Sequence, residues 1–177
     1  MKQSTPYARI IEPVQDQMLA IVWRLLRRPH DAEDALHATL TRLWECWSEV
    51  ETHPNPQALA LKICTETAID HLRKRQRDSA RRDSDPTILD TVPAGQALPP
   101  DAAMQNEALD EITKAIARLP DQQAVAVAMR LIQGATYDNI AAALGCTETT
   151  VRTHVARGRE TLARWLSHLN PRPSPLA

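Results

Sequence analysis

The chain of 177 residues contains no phenylalanine, only four glycines and three cysteines, and no apolar run long enough to cross a bilayer. Each shortage removes a class of protein. Without Phe, the cores have to be built from Leu, Ile, Val and Ala. Four glycines leave no Gly-rich loop to cradle a phosphate, and neither a Ser/His/Asp arrangement nor a set of metal-spaced pairs is found, so an enzyme is not expected. Cys46, Cys64 and Cys146 are odd in number and widely spaced, with no C-x-x-C, and read as reduced, small core residues rather than a disulfide framework or a zinc site. No cofactor is expected. At the N-terminus Pro6, Glu12, Pro13 and Asp16 interrupt any stretch of signal-peptide length, which points to a cytoplasmic protein.

A net charge of −1 conceals a polarised layout. Arg73, Lys74, Arg75, Arg77, Arg81 and Arg82 crowd together, and then no Lys or Arg occurs between Asp83 and Thr113. Hydrophobic spacing predicts only helices. Ile10, Val14, Met18, Ile21, Val22 and Leu25 mark one from Tyr7 to Leu26, with a kink allowed at Pro13. Leu36, Leu40, Leu43 and Trp47, with Trp44 beside them, mark a second, which "HPNP" stops. A third runs from about Gln57 to Arg77 over Leu59, Ile63, Ile69 and Leu72. The expected fold is all-α, with two small helical domains. Residues 1–80 form a three-helix bundle, 81–106 an acidic, proline-rich flexible linker, 107–170 a second helical domain and 171–177 a tail.

Within the second domain Leu109, Ile112, Ile116 and Leu119 define a helix, and Pro120 opens another that ends ahead of Gly134. The stretch "TYDNIAAALGCTETTVRTHVARGRETLARWL", residues 136–166, then reads as helix-turn-helix. Thr136 and Thr147 are the caps, Gly145 suits the left-handed turn, Ala141 suits the crossing, and Ile140, Leu144, Cys146, Val151 and Val155 supply the core. With Val151, Val155 and Leu162 inward, Thr149, Arg152, Thr153, Ala156 and Arg157 face outward, where they can enter a major groove.

These residues carry a family resemblance. The run from Ala108 to Leu166 resembles region 4 of the sigma-70 family of bacterial transcription initiation factors, through Leu119-Pro120, Gln123, Arg130, Gly134, Tyr137, Ile140-Ala141, Leu144-Gly145 and Thr150-Val151-Arg152. "DAEDALHATLTRLW" and "LALKICTETAIDHLRKR" resemble region 2. Two regions joined by a linker is the plan of the extracytoplasmic-function (ECF) group. The resemblance implies that region 2 holds the clamp helices of core RNA polymerase and melts the minus-10 element, while region 4 sits on the flap and reads the minus-35 element. It also implies an anti-sigma factor as a partner, and a linker that threads the polymerase cleft, although an acidic tether in solvent would have the same composition.

"HDAEDALH", residues 30–37, packs two histidines and three carboxylates together. A helix start with Asp31 as cap and Asp34 in capping-box position accounts for it, and a metal held by His30 and Asp34 or by Glu33 and His37 would need matching sets on other helices. The resemblance makes Glu33, Asp34, His37 and Thr41 the polymerase-binding candidates, with His37-Ala38 standing where members commonly have Gln-Glu. Arg73, Lys74, Arg75 and Arg77 become backbone contacts near the minus-10 element. Leu59 and Leu61 replace the usual Trp and Tyr, which leaves less stacking surface for a flipped base. Glu66 replaces Asn, and either accepts from a cytosine amine or is a plain surface glutamate. Two rival readings stand beside this one: a LuxR-like helix-turn-helix regulator, and a sigma-factor mimic that sequesters an anti-sigma factor.

Overall fold

The structure is a computed structural model and describes residues 5–83 and 100–169. Among these, all regular structure is helical: α1 (Pro6–Ile10), α2 (Gln15–Leu26), α3 (Pro29–Glu45), α4 (Trp47–Thr52), α5 (Pro56–Asp83), α6 (Pro100–Arg118), α7 (Asp121–Leu131), α8 (Tyr137–Leu144) and α9 (Glu148–Trp165). No described helix is long and apolar enough to cross a membrane.

The first expected helix is broken in two. Pro13 lies in a 3-10 turn, Glu12–Val14, because proline lacks the N–H that a continuous helix requires. The break still buries Ile10, Ile11 and Val14 beside Met18, Ile21, Val22, Leu25 and Leu26 of α2. The second expected helix is interrupted as well, at Cys46 between α3 and α4. Leu43 is buried, whereas Trp44 is 75% exposed, on the side of α3 away from the core. Arg28, not Asp31, stands at the N-cap of α3, and Pro29 opens the helix. Asn55 caps α5, its Oδ1 accepting from Ala58 N at 3.1 Å.

The 28 residues of α5 span about 42 Å at helical rise and form the spine of the molecule. On one side α5 packs against α2 and α3, and on the other against α6, α7 and α8. Burial on both sides accounts for its many small residues: Ala58, Ala60, Cys64, Thr65, Thr67 and Ala68 are all buried. The two helical groups therefore meet directly. Arg24 Nη1 donates to Ile132 O at 2.6 Å, Gln133 Nε2 to Thr65 Oγ1 at 2.6 Å, Asn55 Nδ2 to Asn139 Oδ1 at 3.1 Å and Gln76 Nε2 to Lys114 O at 3.1 Å.

Helices reach into both ends of the expected linker: residues 81–83 belong to α5 and 100–106 to α6, and the rest of that stretch lies outside the described residues, as does the expected tail, 171–177. In the second group α7 is the central helix, with every residue from Ala124 to Met129 buried. Of the apolar residues that mark this helix in the sequence, Leu109 is 46% exposed, while Ile116 and Leu119 are buried.

Candidate nucleic-acid interface

Helices α8 and α9 make the expected helix-turn-helix, and each begins on a threonine cap. Thr136 Oγ1 accepts from Asn139 N and Thr147 Oγ1 from Thr150 N, both at 3.2 Å. Gly145 takes φ 64°, so that Cys146 N reaches Ala141 O at 3.1 Å and closes the first helix. Val151, Val155 and Leu162 are buried, and Thr149, Arg152, Thr153, Ala156 and Arg157 are all exposed on one face of α9. Thr153 Oγ1 donates back to Thr149 O at 3.0 Å, and Arg152 Nη2 donates to Glu148 Oε2 at 3.1 Å. Gly158, which sequence reading alone does not single out, is buried where α9 crosses α7; a Cβ there would sit 2.5 Å from Val127 Cγ2. The signal available was a lone glycine inside a continuous helical pattern.

The basic end of α5 divides in two. Lys74 and Arg77 are exposed. Arg73 is turned toward α6 and α7: its Nε donates to Ala117 O at 2.9 Å, Nη2 to Leu119 O at 3.0 Å and Nη1 to Asp121 Oδ1 at 2.6 Å. It thereby satisfies carbonyls at the end of α6 that have no partner within their own helix. Arg75 does the same for α2, donating through Nη1 to Leu26 O and to Asp31 Oδ2, both at 3.0 Å. Asp31 is not a cap because it lies third within α3, and its carboxylate goes to Arg75 instead. Glu66 lies 3.1 Å from Lys62 Nζ and 4.0 Å from Arg42 Nη2, and Arg42 also donates to Thr67 Oγ1 at 3.2 Å.

On α3, Glu33, Asp34, His37 and Thr41 are exposed, and helical spacing sets Asp34, His37, Thr41 and Trp44 in one stripe. The stripe ends on the exposed Trp44 indole, although helical spacing sets this residue beside Leu40, Leu43 and Trp47. His30 Nδ1 lies 3.3 Å from Asp34 Oδ2, with both side chains well exposed. Among the cysteines, Cys64 is buried and its thiol is pushed up to about 12 by desolvation, against a smaller opposing effect of a hydrogen bond with Thr39.

A capped, glycine-turned helix pair with a polar and basic outer face defines a helix-turn-helix protein, here with a second, separate set of basic residues on α5. Residues 10–78 match the family model "Sigma-70 region 2", and residues 109–162 match "Sigma-70, region 4". The ECF RNA polymerase sigma factor SigW of Bacillus subtilis is 25% identical over 92% of this chain and 90% of its own length. The ECF RNA polymerase sigma factor SigE of Mycolicibacterium smegmatis is 29% identical over 86% of this chain and 58% of its own length. In fold, the chain is similar to the sigma factor RpoE solved in complex with the anti-sigma factor NepR from Bartonella quintana (TM-score 0.52, 24% identity, 93% of this chain and 98% of that one). The chain belongs to the sigma-70 family, in its ECF group. A region 2 match over 10–78 leaves the LuxR-like reading without support, and the mimic is not favoured either.

Proposed function

We propose that this chain binds core RNA polymerase in the cytoplasm and directs it to promoters, with RNA synthesis itself left to the polymerase. The observation that carries the reading is the exposed face of α9 over its buried valines, in a chain that matches both region 2 and region 4. Thr149, Arg152, Thr153, Ala156 and Arg157 read the minus-35 element: the arginines donate to guanine edges or phosphates, and Ala156 meets a thymine methyl. Lys74 and Arg77 contact the backbone near the minus-10 element, and Glu33, Asp34, His37, Thr41 and Trp44 meet the polymerase clamp.

The packing of α6, α7 and α8 on α5 gives this function a conformational step. Two promoter elements are engaged by two parts that here lie against each other, so the α5 contact opens on the polymerase. Opening frees Arg73 from Asp121 and from the end of α6, and turns it from a structural residue into a phosphate donor. An anti-sigma factor that holds the closed arrangement would keep the same residues from DNA.

Gel shift and permanganate footprinting with the protein alone, core polymerase alone and the mixture test the reading. Sequence-specific binding and strand opening are expected only in the mixture. Tight specific binding by the protein alone would favour an autonomous regulator, and no opening on any promoter of a library would favour the mimic.

A further inference from the structure

Arg152 does not hang free in solvent. Its guanidinium lies over the ring of Tyr137, 4.2 Å from the centroid, and the Arg130 guanidinium lies over the same ring at 4.9 Å. Arg130 is itself held, its Nη1 donating to Ala135 O at 2.9 Å. On its edge Arg152 Nη2 donates to Glu148 Oε2, one turn earlier on α9. Tyr137 opens α8 and Glu148 opens α9, each directly after a threonine cap, so both supports spring from fixed backbone.

The physics separates orientation from stability. An ion pair as exposed as Glu148–Arg152 adds little to folding. Two cations on one ring repel each other, and the Glu148 carboxylate offsets that repulsion. What the arrangement does provide is position: the ring holds the guanidinium carbon and Glu148 takes Nη2, so that Nε and Nη1 remain to donate. Arginine otherwise surrenders rotamer freedom when it binds, and a side chain already held in place surrenders less.

We infer that Tyr137 is a positioning residue for Arg152, and that Glu148 is a specificity-determining residue of the recognition helix. This rests on the reading of α9 as the minus-35 reader and deepens it. Side chains one helical turn apart stand about 5–6 Å from each other, against about 3.4 Å between stacked base pairs. Glu148 and Arg152 therefore address neighbouring pairs. Arg152 donates to a guanine edge, and the Glu148 carboxylate accepts from a cytosine N4 amine on the adjoining pair, where it repels the acceptor-rich edge of guanine.

The test measures the base preference of each promoter position, using the full chain with core polymerase on a library randomised over the minus-35 element. Arg152→Ala is expected to flatten one position by about ten- to hundredfold. Tyr137→Leu is expected to flatten the same position, Tyr137→Phe to restore it, and Tyr137→Leu to add nothing once Arg152 is alanine. Glu148→Gln, which removes the charge but keeps an amide oxygen to accept from Arg152 Nη2, is expected to abolish the cytosine preference at the adjoining position and to change the Arg152 position far less than Arg152→Ala does. A uniform loss at all positions in Tyr137→Leu, or an unchanged profile in Glu148→Gln, overturns the corresponding role. Should Tyr137→Leu fail to fold, Tyr137→Met, which keeps a long apolar side chain without the ring, is read in the same profile with the same expected outcome. If Arg152→Ala itself alters no position, the recognition-helix reading fails; if it alters one while Tyr137→Leu alters none, only the positioning role fails.

Discussion

Replacing Gly158 by alanine adds one methyl at the crossing of α7 and α9, and two opposing effects can be weighed. The new Cβ meets Val127 Cγ2 at 2.5 Å, whereas carbons rest at about 3.5–4.0 Å, so something has to move by about 1 Å. Val127 is fully buried and β-branched, with one strongly preferred rotamer in a helix, so it cannot swing aside. The backbones have to part instead. Overpacking of this kind costs about 1–3 kcal/mol, and removing a mid-helix glycine returns about 1 kcal/mol. A net loss of up to about 2 kcal/mol is expected, read by urea unfolding of the full chain and by hydrogen exchange of the α7 and α9 amides. The sharper measurement is the double-mutant cycle. In a Val127→Ala background the clash is gone, and Gly158→Ala should become stabilising by about 1 kcal/mol. If Gly158→Ala is neutral in both backgrounds, or destabilises equally in both, the close approach of the helices is not what keeps glycine at this position.

Other outcomes follow from the same geometry. Arg73→Ala removes the donors at the end of α6; it should raise hydrogen exchange near Ala117 and Leu119 and increase the distance between labels on α3 and α9, whereas Lys74→Ala should leave both unchanged and flatten the salt dependence of promoter binding. Glu33→Lys should weaken association with core polymerase in a binding assay with no change in thermal unfolding, and loss of stability instead would make Glu33 a structural residue. Buried Cys64 should resist a thiol reagent until the chain unfolds, while half-buried Cys46 and Cys146 react earlier. Because the folded thiol is raised from 9.0 to about 12, its contribution is fully present below pH 9 and is lost as pH rises from there toward 12; Cys64→Ala should flatten the pH dependence of the urea midpoint across that window.

What was legible in the sequence is what neighbours in the chain decide. Thr136, Gly145 and Thr147 satisfy or turn backbone within a few residues, so the caps and the turn between α8 and α9 follow from local chemistry alone. The outward set from Thr149 to Arg157 follows from helical period once Val151 and Val155 face inward. Tertiary structure decided whatever depends on residues far apart. Arg73 and Arg75 look alike as a basic run, yet one meets Asp121, 48 residues away, and the other meets Leu26 and Asp31. Sequence period could place Trp44 beside Leu43 but not say that, among the described residues, no helix covers the adjoining face of α3, which leaves the indole exposed. Likewise α5 reads as a one-sided amphipathic helix whose small residues carry no message, until α6, α7 and α8 occupy its second side. Spacing along a chain determines which groups share a face; only the packed molecule determines which faces meet, because each contact satisfies donors, carbonyls and volume contributed by segments with no local relation to one another.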